Sequence, residues 1–129
     1  NIMLKKISSW NKKQLNISKE YSKRLSKKLK TPIYDLKISD PTFHQFIVRT
    51  NLRNKLKVFL LKNKIDTAIH YPIPIHKQVA FKQQFGDIKL PLTEKFSKEI
   101  LSLPINPHMK KNEVDFVIKK VNEFFKGNK

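Results

Sequence analysis

Apolar side chains return at steps of three or four, or sums of such steps, at the start of the chain. Ile7, Trp10, Ile17, Tyr21 and Leu25 form the stripe, with lysine, serine and asparagine between them. This is the period of a helix with one buried face, and it predicts a single helix over 3–30. No capping residue precedes the stripe, and the pattern is already running where the sequence opens, as in a helix that once ran further back. Thr31-Pro32 ends it, because the residue before a proline is pushed out of the helical region. Residues 31–42, bracketed by Pro32 and Pro41, read as irregular.

The period then shortens. His44 to Thr50 (HQFIVRT) is rich in β-branched and aromatic residues. It predicts a strand with Phe46 and Val48 on one face and Ile47 and Arg49 on the other. Asn51 is placed to cap a second helix whose stripe is Leu52, Leu56, Phe59 and Leu60. A second strand is expected over 67–71. Pro72-Ile73-Pro74 suits neither a helix interior nor a central strand. A short helical turn through Phe81, a turn at Gly86-Asp87, and a helix capped by Thr93 and carrying Phe96, Ile100 and Leu101 follow. Leu103-Pro104-Ile105-Asn106-Pro107 reads as extended. The last helix has Asn112 as its cap and Val114, Val117, Ile118, Val121, Phe124 and Phe125 as its stripe, closing near Gly127. These elements predict an α+β fold: one domain with helices packed on a small antiparallel sheet.

Composition narrows the picture. A chain of 129 residues buries about two thirds of its unfolded surface, enough for one modest core. It has no cysteine, which removes disulfides and thiolate metal sites. No apolar run approaches the roughly 20 residues of a membrane span. No apolar segment follows the basic start as in a secretory leader, so a cytoplasmic location is expected and a membrane partner is not. The net charge of +18 invites a nucleic-acid reading, because clustered cations release counterions from phosphates. Against it, Arg24, Arg49 and Arg53 are the only arginines, while base-reading surfaces favour the bidentate guanidinium fork. The lysines are also scattered along the whole chain, so a solvated, lysine-biased surface is the simpler account and nucleic acid is not the expected partner.

Candidate chemistry is sparse. His44, His70, His76 and His108 match no zinc spacing. His44 and His108 read as ordinary loop residues. His70 and His76 flank the rigid Tyr71-Pro72-Ile73-Pro74-Ile75 segment, which could hold polar groups at a cleft rim at little entropic cost. Ser8, Ser9 and Ser26 lack flanking glycines for a nucleophile elbow. Gly86 and Gly127 are too few to cradle a phosphate. The pairs Glu94/Glu99 and Glu113/Asp115 are expected on solvated helix faces.

Lys64 to Gln78, KIDTAIHYPIPIHKQ, resembles the stretch G-I-x-T-x-x-H-Y-P-x-P-x-H-x-Q of the DegT/DnrJ/StrS family of sugar-nucleotide aminotransferases. Leu4 to Asn11, Phe46 to Arg49 with 56–61, Leu90 to Lys95, Leu101 to Ile105 and Glu113 to Phe125 resemble further family segments in the same order. The resemblance spans nearly the whole chain. It implies the C-terminal small domain of a transferase fold dependent on pyridoxal phosphate: residues 1–129 as one domain, 1–30 as the connecting helix, 31–129 as the α+β core, and the large cofactor-binding domain absent. It implies substrate-binding roles for His70, Tyr71 and His76, as hydrogen-bonding or positioning groups and not as the base; for Tyr71, packing against its neighbours is the competing account. No catalytic, cofactor-binding or metal residue is implied.

Four departures stand out. Lys64 replaces a helix-ending glycine, so a left-handed cap there would be strained. Val79 and Phe81 replace a proline and a tyrosine, the loop near Gly86 is shorter, and Lys110 stands where a capping threonine is common. No segment resembles the family's Schiff-base lysine motif. A lysine of that kind anchors the cofactor and shuttles protons, so the chain alone is expected to carry no cofactor, pyridoxal phosphate belonging to the intact enzyme. The expected partners are the missing large domain or a separately encoded half, a second copy as in the family homodimer, a keto-sugar nucleotide and an amino donor such as glutamate. A non-functional remnant of a split gene and a basic nucleic-acid-binding module are the alternatives. The stripe around Ile7 and Trp10 is expected to have faced the missing domain, and so to promote self-association.

Overall fold

A computed structural model describes residues 4–127. Its elements run in the order α1 (Leu4–Arg24), β1 (Phe46–Arg49), α2 (Arg53–Lys62), α3 (Val79–Phe85), α4 (Pro91–Glu99), β2 (Ile100–Leu103) and α5 (Lys111–Gly127). β1 alternates as its sequence predicts: Phe46 and Val48 are fully buried, while Ile47 and Arg49 are half-exposed. It pairs antiparallel with β2, Phe46 opposite Leu103 and Arg49 opposite Ile100. Single bridges extend the outer edges, Lys30 to Arg49 and Ala68 to Ser102.

A two-stranded ribbon is marginal by itself, and here helices supply its core. α5 buries Val114, Val117, Ile118, Val121, Phe124 and Phe125. α2 contributes Leu56 and Leu60, and the second half of α1 contributes Ile17 and Tyr21, followed by Leu25 and Leu29. The Tyr21 ring packs 5.1 Å from that of Phe46, and its hydroxyl donates to the Pro104 carbonyl at 2.7 Å. Burial pushes that phenol well above its ordinary pKa. The domain is therefore α+β, with helices on a small antiparallel sheet.

Several boundaries differ from expectation. The first helix stops at Arg24, not Lys30, and residue 3 lies outside the described residues. Asn122 of α5 supplies the end: its amide donates to the Arg24 carbonyl at 2.9 Å and its oxygen accepts the Ser26 N–H at 2.8 Å. The strand expected over 67–71 reduces to the bridge at Ala68. Ile100 and Leu101, expected on a helix, open β2 instead. α3 runs on to Phe85.

The three expected caps are also displaced. Asn51 does not cap α2; Leu52 precedes the helix and gives its N–H to Thr50 Oγ1 at 3.2 Å. Thr93 lies inside α4, which starts at Pro91, a residue suited to a first turn because it has no N–H to satisfy. Asn112 lies inside α5; Glu113 accepts the Lys110 N–H at 2.6 Å, the returning half of a capping box.

Candidate functional site

The family-like segment begins where α2 ends. Lys64 has φ 60°, in the left-handed region. Ile65 N–H donates to the Leu60 carbonyl and Lys64 N–H to that of Leu61, both at 2.9 Å. This is a Schellman closure with a lysine where glycine is favoured. Ile65 and Leu60 are both in the core, so the turn is fixed by packing and aims residues 66–70 along the edge of β2.

His70 is half-buried, and its Nδ1 lies 2.9 Å from the hydroxyl of Ser102, a buried residue of β2. Tyr71 follows with 72% of its surface exposed. Beyond Pro72 and Pro74, a single 3-10 turn over Ile75–Lys77 folds the next histidine inward. His76 is only 4% exposed, and its Nε2 lies 3.2 Å from Glu94 Oε1 on α4. The same oxygen accepts the Leu90 N–H at 3.1 Å and lies 3.5 Å from Lys77 Nζ. The Leu90 N–H first, and then His76, hold the Glu94 carboxyl below its ordinary pKa. Lys77 also pairs with Asp87 at 2.9 Å, and Lys82 with Asp87 at 3.3 Å. Their hydrogen bonds keep Asp87 low, and the one Lys77 donates to Asp87 is the main cause raising Lys77.

An open groove of about 500 Å³ lies between this segment, α3 and α4, lined by Tyr71, Ile73, Ile75, His76, Phe81, Leu90, Phe96 and neighbouring residues. Tyr71 and His76 therefore meet at one groove. His70 lines a separate recess of about 210 Å³ with His44, Thr67 and Ser102. His108 is exposed, its ring 6.0 Å from that of Trp10. Among the described residues, no three histidine, aspartate or glutamate side chains could share a metal ion, and no helix is long and apolar enough to cross a membrane.

The carboxylates expected to be solvated are largely engaged. Besides Glu94, Glu99 pairs with Arg49 at 3.5 Å, whose guanidinium stacks 3.5 Å over the Phe96 ring. Asp115 pairs with Arg24. Glu113 is exposed, but it serves the α5 start. Ser102 is a site residue the sequence did not single out, and Glu94, expected to be solvated, is one whose partner it did not show. Their partners lie 32 and 18 positions away, so only the folded chain brings them to the two histidines.

Residues 1–122 match the sequence model of the DegT/DnrJ/EryC1/StrS aminotransferase family. The chain belongs to this family. It is 35% identical over 128 residues to the dTDP-3-amino-3,4,6-trideoxy-alpha-D-glucose transaminase of Streptomyces venezuelae, covering 95% of this chain and 33% of that protein. It is 39% identical over 82 residues to the dTDP-3-amino-3,6-dideoxy-alpha-D-galactopyranose transaminase of Aneurinibacillus thermoaerophilus, covering 64% and 22%. The crystal structure of S. venezuelae DesV in complex with a ketimine intermediate superposes with a TM-score of 0.87 at 34% identity, over 95% of this chain and 34% of that one. The chain thus spans about a third, or less, of the length of the curated relatives it matches.

The family implies pyridoxal phosphate, and the described residues do not fit its covalent anchor. None of the described lysines is buried, and Lys77, the one whose pKa is displaced, is raised. A Schiff-base lysine needs the opposite, a desolvated amine whose pKa is lowered.

Proposed function

We propose that these residues form the substrate-side small domain of a pyridoxal-phosphate-dependent aminotransferase of keto-sugar nucleotides, working with a cofactor-holding part outside the 129 residues. Family membership supports the reaction class. The relatives' threefold greater length supports the second part, and the lack of a buried lysine among the described residues supports binding and positioning, not covalent chemistry, as the part of this chain. Glutamate as amino donor, the family homodimer and a cytoplasmic location belong to the same reading.

The observation that carries the reading is Tyr71, held out of the core at 72% exposure on a segment stiffened by Pro72 and Pro74 and beside the apolar groove. An exposed tyrosine on a rigid support presents a flat ring and a hydroxyl with little entropy to lose on binding. In this reading Tyr71 meets the sugar nucleotide directly. His70, with Nδ1 on Ser102, leaves its second ring nitrogen free to turn toward substrate, and His76 shapes the rim from within.

The test is a graft: this chain replaces the corresponding third of the S. venezuelae transaminase, and amino transfer to that enzyme's keto-sugar nucleotide is followed. Tyr71→Ala should raise KM about tenfold, the value of one lost hydrogen bond and ring contact, while the cofactor's absorbance band is kept. Unchanged KM with the band intact would overturn the role of Tyr71.

A further inference from the structure

The rim from His70 to Gln78 is tied to the body through polar contacts at its two histidines. At one end His70 meets Ser102 in β2, and at the other His76 meets Glu94 in α4. Glu94 does more than receive one hydrogen bond. The same carboxylate oxygen takes the Leu90 N–H, where the chain enters α4, and lies within ion-pair distance of Lys77. Two stretches of chain, 76–77 and the entry to α4 at Leu90, thus converge on one side chain. Because an ionised carboxylate can only accept, Nε2 of His76 must carry the hydrogen and donate it. That imidazole is almost wholly buried, so without Glu94 its N–H would lose its partner in a place water hardly reaches, a costly arrangement that favours the rim swinging outward.

We propose that Glu94 is a positioning residue for the substrate rim: by holding His76, Leu90 and Lys77 together it fixes the groove wall on which Tyr71 stands. Its effect on catalysis rests on the proposed contact between Tyr71 and substrate; its effect on the rim does not.

Two measurements separate these parts. The first is amide hydrogen exchange on the chain itself. Lys77 and Gln78 N–H groups close the 3-10 turn onto the Pro74 and Ile75 carbonyls, while Lys30 and Arg49 N–H groups pair with each other's carbonyls at the far edge of the sheet. Glu94→Ala should speed exchange at Lys77 and Gln78 by at least about tenfold and leave Lys30 and Arg49 within about twofold, the pattern of local opening. Glu94→Gln keeps a carbonyl acceptor and should recover most of the protection. Equal acceleration at all four amides, or none at Lys77 and Gln78, would overturn the proposal. The second is the grafted enzyme, where Glu94→Ala should raise KM for the sugar nucleotide about tenfold with kcat within about threefold, and Glu94→Gln should restore it. If Tyr71→Ala raises KM and Glu94→Ala does not, the positioning role falls alone. If Tyr71→Ala also leaves KM unmoved while the rim amides respond as expected, it is the substrate role of Tyr71 that falls and the fastening of the rim that stands.

Discussion

Replacing Lys64 by glycine should stabilise the domain. The residue sits at φ 60° in the Schellman turn that closes α2. There a Cβ approaches the following carbonyl and costs about 1–2 kcal/mol, a cost glycine escapes. Glycine's extra freedom in the unfolded chain takes back about 0.4–1 kcal/mol. The Lys64 side chain is exposed, so little packing is lost with it. The net gain is about 0.5–1 kcal/mol, or a rise in Tm of about 2–5 °C for a domain of this size. Lys64→Ala, which keeps the Cβ, should stay within about 0.5 kcal/mol of the parent, and Lys64→Val, with a branched Cβ, should fall below it. Urea unfolding followed by circular dichroism at 222 nm, with thermal melts beside it, gives all four values. Glycine no more stable than alanine, or valine as stable as the parent, would refute the strain argument.

Three further outcomes are expected. Lys110→Thr should add the missing forward half of the capping box at α5, because Glu113 already holds the Lys110 N–H and lysine has no acceptor to return; thermal melts should show a gain of about 0.5–2 kcal/mol. Asp87, Glu94 and Glu123 are all held below their ordinary values of 3.8, 4.5 and 4.5. The stability they contribute is full above those ordinary values and is lost as pH falls through the lower, folded ones. Urea midpoints should therefore drop below pH 4.5, with Asp87→Asn flattening part of the fall. Leu4 and Ile7 are 59% and 41% exposed at the start of α1, so light scattering should show mass rising with concentration, and Ile7→Lys should suppress it; a monodisperse parent at high concentration would contradict this.

Legibility followed the length and regularity of each pattern. α5 could be read residue by residue because six apolar positions repeat over 17 residues, and β1 because its alternation is backed by branched and aromatic side chains. β2 was hidden by a coincidence of spacing: Phe96 and Ile100 are four apart, so the stripe of α4 runs into a four-residue strand with no break. The strand expected at 67–71 has the right residue types, yet only Ala68 finds a partner, because pairing depends on the edge available and not on propensity alone. Asn122, which ends α1 from 98 residues away, leaves no local mark. At the site, the rigid segment with its two histidines was visible, and so was the misfit of lysine at position 64. The pairing of His76 with Glu94 was not, because a glutamate near a helix start reads as solvated until the fold sets a buried imidazole beside it.

In the proposed reading this chain shapes the substrate side of an amino-transfer enzyme whose cofactor is held elsewhere. The most direct test compares the isolated chain with the graft for the bound-cofactor absorbance band and for amino transfer to the keto-sugar nucleotide. Neither signal is expected from the chain alone, and both are expected from the graft. A chain that alone binds the cofactor and converts the sugar, or a graft that carries the band yet transfers no amino group, would contradict it.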